Sequence, residues 1–410
     1  MRITEVKPIL CDQFYTFCKV TIDEGIVGWG DGTEWATPKG VESAIKDFGN
    51  LLIGEDPRNI ERLWQLAWRS AYTGGKDLSC ALAAISSALI DVVGKIYDIP
   101  AIELIGGKVW NKVRLYTHCD QPTVEETLKF AEELKHEGWT ACKCHPVGLP
   151  SRYKDPEWAK GSLDWPEISR TASLRAVKQT AKHVEALRET VGDDIELGID
   201  VNNRLDVPSS IRLAKALEPL NLLFMEDPIC HHENSVSSYR RLAESTSIPI
   251  ACGENLYTIW DFRSYLESRA IDLLLPDVCH TGVLQAKKIA ALGEAYHVPI
   301  CPHNPNSVLS AIISANLAAS VPNFVALEFI RGFALPDKDT TVKPWVDKIM
   351  RPSLSRLVKD GYLELPEGPG WGVDIDEKEL AKHPYIEPCQ WLEKRKKSFR
   401  NDFNLSRPSK

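Results

Sequence analysis

The hydrophobic pattern changes its period near residue 113. Before that point, MRITEVKPILCD and TFCKVTIDEGIVGWGDG predict β-strands around turns, with Gly28, Gly30 and Gly32 breaking the second. Helical spacing follows over Gly40–Ile53, Asn59–Ala71 and Cys80–Ile96, before LIGGK closes the segment. Residues 1–112 therefore predict a small α+β domain. From Val113 short apolar runs alternate with helical stretches: strand Val113–His118, helix Val124–Glu137, strand Thr140–His145, helix Ala172–Val191, then strand IELGID. Five more strands end at Glu226, Glu254, Asp277, His303 and Glu328, with helices such as Gly282–Tyr296 and Ser307–Ala319 between them. Eight strands of this kind predict an α/β barrel over residues 113–340. In the remaining segment, 341–410, LVKDGYLELPEGPGWGVDID predicts strands and turns that fold back on the N-terminal domain.

The polar residues that end these runs keep a regular interval. Asp200, Glu226, Glu254, Asp277, His303 and Glu328 are separated by 26, 28, 23, 26 and 25 residues. A strand–loop–helix–loop unit consumes about that much chain, so six successive strands carry one acidic or histidine side chain at the same end. In a barrel that end is where loops converge and active sites form.

Composition narrows the class. The chain has 410 residues, 43% hydrophobic and 26% charged, with a net charge of −8 and basic residues spread along it, which argues against a nucleic-acid partner. The run Lys394–Lys397 reads as part of a solvated terminal helix. MRITEVKPIL lacks the basic start and long apolar stretch of a secretory signal, and no run is expected to reach membrane-spanning length. Eleven cysteines without CxxC spacing, mostly in apolar segments, read as reduced buried thiols of a cytoplasmic protein.

Asp200, Glu226 and Glu254 end three consecutive strands. Three carboxylates facing one axis repel unless a cation lies between them, and hard oxygen ligands suit Mg²⁺, with Mn²⁺ as a substitute. Asp277 and His303 end the next two strands. A carboxylate beside an imidazole fixes its tautomer and raises its basicity, which makes a general acid/base. Lys143 and His145 alternate onto one face of their strand. Lys143 can stabilise developing negative charge, and His145 is either a second acid/base or a hydrogen-bond donor to substrate. Asn202 shares the face of Asp200 and is a candidate substrate contact. Glu328 is either a protonated hydrogen-bond donor or a partner for Lys143. Together these groups suit proton abstraction beside a carboxylate, where the enediolate must be held by concentrated positive charge.

With these residues, the GWGDG and LIGGK segments and the C-terminal GPGWGVDID, the chain resembles the mandelate racemase subgroup of the enolase superfamily over essentially its whole length. Superfamily members are known to pair a Lys or His base with Mg²⁺. The resemblance implies a modified (β/α)7β barrel with an α+β capping domain built from both ends of the chain. It implies Asp200, Glu226 and Glu254 as Mg²⁺ ligands, Asp277–His303 as catalytic dyad, and Glu328 as a hydrogen-bonding group on the substrate carboxylate. It also implies a homo-oligomer. The racemase pattern KxK is here Lys143-Cys144-His145, which disfavours a two-base racemase and favours a dehydratase of a sugar acid, aldonate or aldarate. Galactonate- and mannonate-type dehydratases often carry a histidine where this chain has Asn202. The polar loop from Pro146 to Arg170, with Arg152, Tyr153, Lys154, Trp158 and Trp165, reads as a wall against a polyhydroxylated substrate. Capping loops near Asp12–Thr16, Trp29–Trp35 and Tyr72–Asp77 are expected to close over the pocket, with Trp29 and Tyr72 as substrate contacts. A racemase, epimerase or cycloisomerase, and a non-catalytic sugar-acid binder, are the alternative readings.

Overall fold

Strands β1 (Ile3–Cys11), β2 (Tyr15–Ile22) and β3 (Val27–Asp31) form an antiparallel meander, and the helices Pro38–Leu52 (α1), Ile60–Ser70 (α2) and Lys76–Tyr97 (α3) bury their apolar faces against it and one another. The computed structural model describes residues 1–72, 74–147, 170–230, 235–335, 338–339 and 342–387. Two compact units emerge. The first comprises Met1–Arg114, Gly253–Trp260 and the described residues from Leu275 onward; the second comprises the described residues of Leu115–Cys252 and Asp261–Leu274. The division does not follow the sequence boundaries at 113 and 340, since the first unit also takes residues from the predicted barrel region.

In the first unit the glycines of GWGDG do not break their strand. Gly28 and Gly30 lie inside β3, and a Cβ at Gly28, Gly30 or Gly32 would stand 2.3, 1.9 or 2.6 Å from the carbonyl oxygens of Ala88, Ala84 and Cys80. Positions two apart share a strand face, and positions four apart share a helix face. The glycine triplet therefore lies flat along one stripe of α3, backbone against backbone, and the absent side chains allow that approach. This helix also corrects the expectation that no run is long and apolar enough to span a membrane. An 18-residue stretch of this 22-residue helix reaches a mean hydropathy of 1.6, but Ser79–Gly94 are buried, as in a helix at the centre of a packed core.

The GPGWG segment joins the same core. Asp91 on α3 accepts the main-chain N–H groups of Trp29 and Trp371, each at 2.8 Å, and the Trp371 indole donates to the Trp29 carbonyl at 3.0 Å. Lys95, one turn on, pairs with the same carboxylate at 2.8 Å. The predicted fold-back is thus a latch on one buried acid.

In the second unit β4 (Val113–His118), β5 (Ala141–Cys144), β6 (Glu196–Asp200), β7 (Met225–Glu226), β8 (Ile250–Cys252) and β9 (Leu273–Leu274) are consecutive parallel neighbours; β4 begins in the first unit. Register pairs Lys143 with Gly198 and Asp200 with Glu226. The first unit holds β10 (Leu327–Glu328) and two parallel bridges, Asp277 to His303 and Ile300 to Phe324. The seventh predicted strand is therefore a pair of single bridges. The ten described cysteines are free thiols, all buried except the half-buried Cys230. The basic run Lys394–Lys397 lies outside the described residues.

Candidate active site

In the second unit three strand ends meet around one ammonium group. The Lys143 side chain is 1% exposed, and its Nζ stands 2.8 Å from Glu226 Oε2 and 3.7 Å from Asp200 Oδ2. Two buried carboxylates on neighbouring strands thus lean on one cation, a hard-oxygen arrangement suited to a divalent ion. Lys143 and the Nε2 of His145, 3.1 Å from Asp200 Oδ2, hold the Asp200 carboxyl below its ordinary range although burial pushes the other way. Asn202 turns back on Asp200 with φ at 49°, giving its main-chain N–H to Oδ1 at 2.7 Å and its amide to Oδ2 at 2.6 Å. The residue read as a substrate contact thus also braces the acid two positions before it.

Asp120, two residues beyond β4, did not figure among the sequence candidates. Its Oδ2 stands 2.5 Å from His145 Nδ1, and its Oδ1 accepts the His145 main-chain N–H at 2.9 Å. Burial disfavours charge on the imidazole, but Asp120 and Asp200 outweigh it and raise the His145 pKa. The signal was present, since Asp120 follows the first strand as the other acids follow theirs.

The first unit holds the other candidates. Asp277 caps the short helix Val278–Thr281 through the Cys279 N–H at 2.7 Å, and its second oxygen lies 2.7 Å from His303 Nδ1. The Asn306 amide donates to that same oxygen at 2.8 Å and in turn accepts the Trp35 indole N–H at 3.1 Å. Trp35 stacks on Phe14 with centroids 4.0 Å apart, so two of the three capping loops reach the dyad through one asparagine. The outer nitrogen of His303 lies 3.0 Å from Glu254 Oε2 and 3.8 Å from Glu328 Oε2. Burial opposes the imidazolium, yet Glu328, Glu254 and Asp277 carry its pKa well above the ordinary histidine value. Burial would raise Asp277, and His280 and His303 lower it instead. Glu328 accepts the Asn304 main-chain N–H at 2.9 Å. His280 faces the Glu254 carbonyl at 2.7 Å through Nδ1. Asn304, Asn306 and His280 escaped sequence reading because nothing in their spacing marks them.

The remaining candidates separate. Trp29 is 5% exposed within β3, its backbone fixed by Asp91 and Trp371. Tyr72 is 97% exposed with φ at 60°. Arg152, with the rest of its loop from 148 to 169, lies outside the described residues.

Residues 9–106 match the mandelate racemase/muconate lactonizing enzyme N-terminal domain, and residues 126–379 match the enolase C-terminal domain-like family. The chain is 31% identical over 388 residues to a D-galactonate dehydratase of Ralstonia pickettii (strain 12J), covering 92% of this chain and 93% of that one. It is 31% identical over 402 residues to a D-galactonate dehydratase of Variovorax paradoxus (strain S110), at 95% and 96% coverage. A mandelate racemase/muconate lactonizing enzyme-like protein from Rubrobacter xylanophilus DSM 9941 superposes with a TM-score of 0.81 at 31% identity, over 94% of this chain and 98% of that one. The 3,6-anhydro-D-galactonate cycloisomerase of Zobellia galactanivorans gives a TM-score of 0.78 at 25% identity, over 93% and 99%. The expected capping domain and barrel are accounted for, and the chain belongs to the mandelate racemase subgroup of the enolase superfamily.

Proposed function

We propose that this enzyme is a hydro-lyase that dehydrates a sugar acid to a 2-keto-3-deoxy acid. The observation that carries the reading is the nearly full-length likeness to D-galactonate dehydratases; the Asp277–His303 pair supports it. Asp200, Glu226 and Glu254 offer only carboxylate oxygens and would hold the Mg²⁺. When bound, that ion supplies Lewis-acid charge to the substrate carboxylate and makes the C2 proton more acidic.

The protein residues do the remaining work. Asp277 takes the Nδ1 proton of His303 in a hydrogen bond, which leaves Nε2 as the edge that removes the C2 proton. Lys143, and Glu328 in its protonated form, hold the carboxylate oxygens as charge moves onto them. The re-forming carboxylate then drives out the 3-hydroxyl, which departs as water once it receives a proton. Carbonyl formation from the resulting enol completes the product.

The reading is tested by screening Mg²⁺-loaded protein against aldonic and aldaric acids, D-galactonate among them, with semicarbazide detection of 2-keto acids. A 2-keto product from one or more acids supports it. Deuterium exchange at C2 in D₂O without loss of water would replace it with a racemase, epimerase or cycloisomerase, the reading that the Zobellia relative favours. Ligand binding with neither exchange nor product would leave a binder.

A further inference from the structure

The second unit contains a carboxylate–imidazole pair that copies the arrangement of Asp277 and His303. We propose that Asp120 is a positioning residue for His145, and that the pair delivers the proton to the departing 3-hydroxyl. This inference rests on the dehydratase reading above.

Four observations support it. Asp120 grips His145 twice, Oδ2 against Nδ1 at 2.5 Å and Oδ1 against the main-chain N–H at 2.9 Å, so ring and backbone are fixed by one carboxylate. Both side chains are 8% exposed, so water competes little for the bond. His118 packs edge-on against the imidazole with centroids 5.0 Å apart and restrains the rotation that the carboxylate leaves open. The outer nitrogen is Nε2, which stands 3.1 Å from Asp200 Oδ2, beside a proposed ligand of the ion that binds substrate. A shared second cation on His118, Asp120 and His145 is the competing explanation, since their ligand atoms lie within 4.8 Å of one another. Two ligands held at about 2.0–2.1 Å in tetrahedral geometry stand roughly 3.3 Å apart. The 2.5 Å between Asp120 and His145 is a hydrogen-bond distance and too short for two ligands of one ion.

The chemistry divides between two imidazoles. His303 takes the C2 proton, and the electron pair of that bond becomes the enediolate. As the carboxylate re-forms, C2 and C3 become doubly bonded and the C3–O bond breaks. Its electron pair stays on oxygen, which accepts the Nε2 proton of His145 and leaves as water. Asp120 keeps Nδ1 occupied, so that Nε2 is the donor.

The experiment compares wild type with Asp120→Asn, His145→Gln and His303→Asn. In the proton spectrum, two downfield imidazole N–H resonances are expected. His303→Asn should remove one, and Asp120→Asn or His145→Gln the other. In kinetics with the sugar acid found by the screen, Asp120→Asn and His145→Gln should lower kcat for dehydration by about 10²–10⁴-fold with KM little changed, while C2 deuterium exchange persists. The proposal is overturned if Asp120→Asn keeps wild-type kcat. It also falls if exchange and dehydration decline in parallel, which marks a structural role, or if the resonance survives the substitution. Should wild type process no sugar acid, the dehydratase reading fails, and the spectra still decide whether Asp120 holds His145.

Discussion

Asp277 and His303 meet at 2.7 Å, carboxylate oxygen to Nδ1, and a parallel bridge joins their backbones. Because the carboxylate is also the acceptor for Asn306 and the cap of a helix, it is fixed from three sides. Replacing Asp277 by Asn would preserve the shape but offer an amide where Nδ1–H needs an acceptor. Turnover is expected to fall by about 10²–10⁴-fold with substrate affinity little changed. C2 exchange in D₂O should fall in parallel, and full turnover in this variant would remove the dyad from the mechanism.

Lys143 makes the metal dependence measurable without substrate. With Asp200 and Glu226 buried around it, Lys143→Ala leaves their charges uncompensated and should destabilise the metal-free protein by about 3–5 kcal/mol. Thermal unfolding in EDTA and in Mg²⁺ reads this directly. Mg²⁺ at roughly a hundred times its Kd should stabilise wild type by about 2.7 kcal/mol, and Glu254→Gln should remove most of that gain. Identical melting curves with and without the ion would sink the assignment of these ligands.

A buried acid sets part of the acid stability. Glu34 is 1% exposed, paired with Lys76, and accepts the N–H groups of Ala36 and Thr37. Burial pushes its pKa up, but Lys76 and these donors win and hold it below the ordinary carboxylate value. A depressed folded pKa contributes stability that is present above the unfolded value, about 4.3, and is lost as pH falls through the folded one. Glu34→Gln should therefore cost about 1–3 kcal/mol at pH 6, shrinking below about pH 4. A pH-independent difference in urea unfolding would contradict this account.

The glycine stripe gives a steric prediction. A Cβ at Gly30 would meet the Ala84 carbonyl at 1.9 Å, and neither partner is a flexible side-chain end. Gly30→Ala should destabilise by about 3 kcal/mol through forced separation of β3 and α3. Gly25→Ala meets no atom within 4 Å, yet φ at 79° penalises it, so its cost comes from backbone strain alone. Chemical denaturation of both variants separates the two mechanisms; equal tolerance of Ala at position 30 would contradict the packing argument.

Much of this was legible because the barrel period is long and its markers are chemically distinctive. Helices Val124–His136 and Val308–Ala319 begin within a residue of where side-chain spacing placed them, each with a side-chain cap at its start. Period alone could not tell a glycine that ends a strand from one that lets a helix approach it, which is why GWGDG was misread. Nor could it separate Asn202 as substrate contact from Asn202 as brace, since both put the amide on the same face. Asp120 escapes because the run VRLYTH already ends in a polar residue, His118, and the acid stands two positions further on; a loop tryptophan and a core tryptophan at position 29 have the same sequence signature.

The latch on Asp91 has a consequence for how the protein is made. The acid reaches the ribosome exit some 280 residues before Trp371, so during translation its carboxylate is committed to a site whose second N–H has not yet been synthesised. The first layer to emerge is thus among the last to be completed, and a nascent chain paused before the GPGWG segment carries an open seam along α3.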